Sequence, residues 1–365
     1  MIMMKFKTAS CLVSASMALG LLAGCSSNST ETPKSDVKTE ENQNTETNTN
    51  TTNTDAENNS DAMTLIDAIK NASDDDAGLE AWENLLIQSV KSTDYNFELE
   101  TDGEDYAYNN EDPEGNVDED AIYEVGAEGW FISKGEEDSY SLNLTTIDGS
   151  DDNYLEGFGT IDYINPKGTM ITVKLTDSKL DDISGKVEQI SDNGGDMSMI
   201  TRDSAALNLI MDSIVNVGYQ VNADPFHNTT LYSYEVTEDN GSYVLKAAIK
   251  DPKVYIQAAS NKALLYSNRT SRPSLGIDEL KDETWEFHFN KDGVLSSVIT
   301  NIDHVLYQPN AAASADNPTY LAILNKTEFK KADESELDVN GIKNLCASAI
   351  DGSLTENSDF SLKDE

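Results

Sequence analysis

The chain has 365 residues, and 67 aspartates and glutamates stand against 25 lysines and arginines, giving a formal charge of −42 at pH 7. Such a field repels phosphate backbones and anionic headgroups, which argues against nucleic acid as a partner and against a peripheral electrostatic grip on lipid. The same charge draws cations and basic proteins, and it keeps an exposed protein dispersed.

Lys5 and Lys7 precede an apolar run from Thr8 to Leu22, and the run closes on Leu22-Ala23-Gly24-Cys25. A basic segment, a short apolar segment and small residues before a scissile bond make an export signal. The run is too short to span a bilayer as a helix. It resembles the lipobox of signal-peptidase II substrates, in which a cysteine stands at the cut. That resemblance implies a signal peptide over residues 1–24 and acylation of Cys25, with palmitate-like chains as the membrane anchor. Each buried methylene contributes about 0.8 kcal/mol, and two acyl chains hold stably where one holds marginally. The expected location is therefore the extracytoplasmic face of a bacterial membrane, in the cell envelope. Loss of residues 1–24 removes two lysines and no acid, which takes the formal charge to −44.

Of the three cysteines, Cys11 lies in the signal and Cys25 in the anchor, so Cys346 is left alone in the mature chain. Set among Ile342, Leu345 and Ile350, it reads as a buried apolar residue, and no intramolecular disulfide can form. Stability must come from an apolar core, for which roughly 300 residues are ample.

From Ser26 to Asp61 the residues are nearly all Thr, Asn, Glu, Ser, Asp and Lys. This composition cannot offset the entropy of ordering and predicts a disordered polar spacer with a reach of about 35 Å. Helical spacing follows at Ala62–Asn71 and at Gly78–Lys91, where Leu79, Trp82, Leu85, Leu86 and Val90 share a face. The period then changes to two at Tyr95, Phe97 and Leu99. Strands are predicted at Ile122–Val125, Trp130–Ser133, Ser139–Thr145, Tyr154–Ile164 and Thr169–Leu175, divided by Gly, Asp and Asn clusters. An amphipathic helix is expected over Thr201–Val217. Strands at Leu231–Thr237 and Ser242–Lys250 are joined through Asn240-Gly241, a hairpin signal, and Asp251-Pro252 caps a helix running to about Tyr266.

A further hairpin spans Thr284 to Asp303 around Lys291-Asp292-Gly293. A three-residue loop there pairs Phe289 with Leu295, Phe287 with Ser297 and Trp285 with Ile299, whereas a two-residue turn places the aromatics opposite Ser296, Val298 and Thr300. Burial favours the first register. A strand at Tyr320–Phe329 and a helix at Asn340–Ile350 complete the domain, residues 62–350, before an acidic tail at 351–365. Asn84–Val90 echoes Asn208–Ile214, which leaves open a duplication into halves 62–193 and 196–350.

Reactive constellations are absent from the sequence. His227, His288 and His304 belong to no zinc helix or His/Cys cluster, and neither a nucleophile elbow nor a phosphate loop occurs. The acidic stretch Glu98–Asp120 invites calcium, but aligning Gly115 with the central glycine of an EF-hand puts Ala121 where a bidentate acid belongs. No catalytic residue, metal ligand or cofactor is assigned, and the chain reads as a non-enzyme.

A lipobox, a polar spacer, an amphipathic helix leading into a strand, a long meander, an Asp-Pro helix and the Trp285-x-Phe287-x-Phe289…Asp292-Gly293 hairpin together resemble the LolA/LprG-like lipoproteins. The resemblance is one of element order over residues 62–350. It implies an unclosed β-barrel with helices over an apolar cavity, and in some members the carriage of lipids or lipoproteins.

The fold class expected is thus α+β: a strongly curved, unclosed antiparallel sheet packed against amphipathic helices. Two functions stay open. In one, a lipid or other hydrophobic or amphiphilic ligand sits between sheet and helix, lined by Phe97, Trp285, Phe287 and Phe289. In the other, those aromatics are core, and the acidic surface meets a basic protein partner or cations.

Overall fold

A computed structural model describes residues 54–91, 96–109, 122–133, 138–149, 155–164, 170–179, 183–192, 202–215, 224–270, 276–307, 319–332 and 338–362. Cys25, most of the spacer, and the residues of the tested calcium loop from Asn110 to Ala121 lie outside them.

Helix α1 (Thr54–Lys70) begins inside the stretch expected to be spacer. Ala62, Ile66 and Ile69, one face at helical spacing, are at most 1% exposed, and once that stripe is docked, extending the helix backward costs little. Helix α2 (Asp75–Lys91) starts where the Asp74 carboxylate accepts the Ala77 N–H at 2.9 Å, an N-cap. It buries Trp82, Leu85, Leu86 and Val90.

Strands β1 (Phe97–Asn109), β2 (Ile122–Ile132), β3 (Ser139–Gly149), β4 (Leu155–Ile164), β5 (Met170–Lys179) and β6 (Ser184–Asp192) form one meander. Helix α3 (Arg202–Val215) then leads, through a 3-10 turn at Thr229–Leu231, into β7 (Tyr232–Asp239) and β8 (Ser242–Ile249). Helix α4 (Pro252–Thr270), strands β9 (Gly276–Phe289), β10 (Leu295–Tyr307) and β11 (Thr319–Lys331), helix α5 (Val339–Asp351) and strand β12 (Asp359–Ser361) complete the order.

Among the described residues all twelve strands form one sheet, ordered β12-β6-β5-β4-β3-β2-β1-β11-β10-β9-β8-β7, with every pair antiparallel. The two meanders join where β1 runs beside β11, from Phe97 opposite Lys331 to Asn109 opposite Thr319. The sheet does not close: β12 and β7 stand at its two ends. The expected α+β class with an unclosed antiparallel sheet is the observed one.

Several elements differ from expectation. Ile122–Val125 and Trp130–Ser133 belong to the single strand β2, because the small Gly126, Ala127 and Gly129 that interrupt the apolar pattern still pair with β1 and β3. The first half of the acidic stretch is strand β1 rather than loop. Strand β6 carries only Val187 and Ile190 as large apolar residues and has a glycine at its start, so it lacks a strand signature. At Gly185 a Cβ would come within 2.8 Å of the Phe360 ring and 2.9 Å of the Thr176 carbonyl. The glycine is what lets the C-terminal segment lie close. That segment is no loose acidic tail: Phe360 and Leu362 are buried, and β12 pairs with β6.

The β9–β10 register is corrected as well. Phe289 faces Leu295, but a bulge follows, so Phe287 faces Val298 and Trp285 faces Thr300. The extra residue, Ser296, flips the parity of β10 and buries Leu295, Val298, Thr300 and Ile302 together. The β7–β8 hairpin turns through Asn240 and Gly241, both at positive φ, as the Asn-Gly pair requires.

Two apolar clusters result. One joins α1, α2 and α3 to β1 and β7–β10; the other joins α5 and the C-terminal segment to β2–β6. The face turned away from the first cluster carries ion pairs on β1, β8, β9 and β11, whereas on β2 it carries Trp130 and Ile132 of the second cluster. Lys330 bridges Glu98 and Glu100 at 3.2 and 2.7 Å, and Lys246 meets Glu286 at 3.0 Å. None of the described helices is long and apolar enough to cross a membrane.

Helix α2 packs on the 3-10 turn so closely that a Cβ at Gly78 would fall 2.0 Å from Thr229 Oγ1 and 2.4 Å from its Cβ. Gly→Ala inside a helix ordinarily stabilises by up to about 1 kcal/mol. Here the sign reverses, and Gly78→Ala is expected to cost about 1–3 kcal/mol through overpacking, read as a lower urea midpoint with an unchanged slope.

Candidate functional site

Alternation along β9 places Trp285, Phe287 and Phe289 on one face, and β1 contributes Phe97. All four are at most 3% exposed and belong to the first cluster. Helix α2 lays Trp82 over them, its ring 4.5 Å from that of Phe287 and 4.8 Å from that of Phe226. Phe226 stands edge-on to Phe287 and Trp285, at 5.6 and 6.3 Å. Phe289 stacks on Tyr243 at 4.8 Å, and Phe97 on Phe131 at 5.6 Å. The four residues expected to line a ligand thus share one core, and their faces are covered by rings of the protein itself. A ligand between α2 and the sheet would have to displace Trp82 and Phe226.

A polar constellation adjoins this core that the sequence reading did not single out. Glu283 lies on the same face of β9 as the aromatics and is 4% exposed. Its carboxylate accepts hydrogen bonds from the hydroxyls of Tyr232 on β7 and Tyr255 on α4, and from Trp285 Nε1 at 2.9 Å. The two tyrosine oxygens are 3.5 Å apart. His304 of β10, wholly buried, brings Nε2 to 2.9 Å from Glu283 Oε2, yet neither ring nitrogen makes a well-aligned hydrogen bond among the described residues. Burial, and after it the Glu283 charge, holds both phenols well above the usual tyrosine range. They are therefore protonated donors. One signal was available: an acid in the parity of an aromatic stripe must be buried, and a buried carboxylate needs donors.

The other histidines sit apart. His288 occupies the opposite, wetter face of β9, 3.6 Å from Glu286. His227 is partly exposed, with Nδ1 3.0 Å from Asp224 Oδ1. Among the described residues no three His, Cys, Asp or Glu side chains gather as a metal cluster would.

In the second cluster Cys346 is 2% exposed, and burial, with the Asp162 charge second, pushes its thiol up to about 12. It is a packed thiol, as its neighbours implied. Burial pushes Asp162 up to about 6, against an opposing hydrogen bond from Thr172 Oγ1 at 2.6 Å. A folded-state value above the unfolded 3.8 means that the native state holds this proton longer. The stability it contributes is full below pH 3.8 and is lost as the pH rises through 6. Asp162→Asn is therefore expected to gain on the wild type between pH 4 and 7, by on the order of 2 kcal/mol after allowance for residual solvation. Urea titrations at the two pH values check this, and a constant difference would refute it.

No protein-family model matches the chain, and no curated protein matches it. Among solved structures it is similar to a beta-barrel-like protein of a domain of unknown function from Brucella abortus. The match has 7% identity and a TM-score of 0.19 over 65% of this chain and 98% of that one. A likeness of that size bears on neither fold nor function.

Proposed function

We propose that this chain is a lipid-anchored extracytoplasmic protein of the bacterial envelope that works by binding and not by catalysis, and that its acidic exterior meets a basic partner. The observation that carries this reading is the closure of the aromatic face: Trp82 and Phe226 cover Trp285 and Phe287, which leaves the charged surface as the part that can engage another molecule. The anchor rests on the Leu22–Cys25 lipobox.

The test is cross-linking and co-purification of the tagged, membrane-tethered chain at about 0.05 and 0.5 M salt. Partners held by exposed carboxylates should be lost at the higher ionic strength. A salt-resistant partner would speak against the reading. Labelling with a palmitate analogue should mark the wild type and spare Cys25→Ser.

The second reading, uptake of an amphiphilic ligand, is favoured by the unclosed sheet with helices over its apolar side. Native mass spectrometry discriminates: lipid retained by the Cys25→Ser chain would establish it and displace the first.

A further inference from the structure

We propose that the outer edge of β7 is where the basic partner docks, by adding an extended segment to the sheet as a further strand; this deepens the basic-partner reading above and rests on it. Strands β12 and β7 end the sheet, and they differ. The first has three residues. The second has eight, contains neither proline nor lysine, and pairs with β8 without a bulge from Tyr232 to Asp239. A long edge is ordinarily blunted by one of those devices, because its outward N–H and C=O groups are a template for another strand.

The parity of the β7–β8 ladder says which groups point outward. The Lys250 N–H donates to the Leu231 carbonyl at 3.0 Å, one step beyond the pairing of Tyr232 with Ile249, and bonded pairs recur at every second residue of an antiparallel ladder. Ser233, Glu235 and Thr237 therefore turn their backbone groups to β8. Those of Tyr234, Val236 and Glu238 face away from it, and among the described residues they make no hydrogen bond.

Side chains set the chemistry of the occupant. On one face Ser233, Glu235 and Thr237 are exposed; on the other Tyr234 and Val236 are half-buried against the first cluster, with Glu238 exposed beyond them. The strand carries no cation, and the neighbouring ones are engaged. Lys246 meets Glu286 at 3.0 Å, Lys250 donates to the Thr230 carbonyl at 3.2 Å, and Lys291, beside the Gly241 turn, meets Asp292 at 3.3 Å. Opposite charges across a strand pair attract and like charges repel. An added strand thus carries Lys or Arg opposite Glu235 and Glu238, and apolar residues opposite Tyr234 and Val236. Main-chain bonds supply affinity and the alternation supplies register. A second copy of this chain fits worse, since it brings the same acidic strand and a formal charge of −42 to meet another −42.

The experiment uses the full mature chain carrying Cys25→Ser and two fluorescent peptides of equal charge, one alternating valine with lysine and one alternating proline with lysine. The valine peptide is expected to bind, and amide hydrogen exchange should slow at Tyr234, Val236 and Glu238, whereas the proline peptide, which cannot complete a ladder, should bind about tenfold more weakly. Val236→Pro should weaken the valine peptide by about the same factor, because the N–H it removes lies outside the β7–β8 ladder and an edge strand accepts proline there. Glu235→Lys changes an exposed side chain alone and should also weaken binding, so the test holds even if the proline variant fails to fold. Amides of the three residues already protected in the peptide-free chain, or a dimer of the chain that Val236→Pro dissolves, would overturn the proposal. Equal, salt-labile binding of both peptides would overturn it while leaving the basic-partner reading intact. No binding of either peptide, with no salt-labile partner in the cross-linking above, would overturn both.

Discussion

Glu283→Leu is expected to destabilise the fold by about 3–5 kcal/mol, the largest single-site loss on the polar side of the core. The leucine fills the volume but strands two phenol hydroxyls, an indole N–H and an imidazole that now meet one carboxylate. Each buried donor left without an acceptor costs about 1–3 kcal/mol. The loss is not a simple sum, because Tyr232 and Tyr255 can partly satisfy each other across 3.5 Å. Glu283→Gln should cost less, since the amide oxygen still accepts from one hydroxyl while its NH₂ opposes the remaining donors. Urea unfolding of a chain made soluble by Cys25→Ser reads both values, the slope serving as a check that the unfolded state is unchanged. A loss under about 1 kcal/mol for leucine would show that water reaches the carboxylate and that the network is not sealed.

The same strand shows what the sequence could and could not disclose. Period-two alternation from Trp285 to Phe289 and the Asp292-Gly293 turn are local signals, so the hairpin and its buried face were legible. The register beyond Leu295 was not, because a single bulged residue changes which side of β10 faces the core, and the burial argument was satisfied by Leu295 in either case. Glu283 could be read as a buried acid from its parity, but its partners lie 51, 28 and 21 residues away in sequence, on elements whose meeting depends on the whole sheet order. No composition or spacing rule reports such convergence. Strand β6 and the C-terminal segment failed for a related reason: Gly185 weakens one strand, and Phe360 has meaning only once laid against it. The start of α4 was legible because the Asp251 carboxylate accepts backbone N–H groups of the first helical turn, whereas α2 begins at Asp75, ahead of the expected Gly78, although Asp74 caps it in the same way.

Trp82→Ala should cost about 3–5 kcal/mol and, at the same time, create an affinity the wild type lacks. Trp82 is wholly buried, and its ring touches those of Phe226 and Phe287 from the helix side of the aromatic face. Its removal deletes the indole from the middle of a packed layer, and its ring neighbours, Phe287 on β9, Tyr234 on β7 and the buried Phe226, have little freedom to collapse into the gap. A dry apolar cavity should remain, and such cavities bind benzene-sized ligands. Small apolar probes are therefore expected to raise the melting temperature of Trp82→Ala and to leave the wild type unmoved, the shift growing with probe concentration as mass action requires. The opposite pattern, a wild type stabilised by the probe and a Trp82→Ala variant of nearly unchanged stability, would mean that α2 is a cover over a working ligand chamber. The two outcomes differ in sign for both measurements, so one thermal series on two proteins separates an aromatic core from an aromatic pocket.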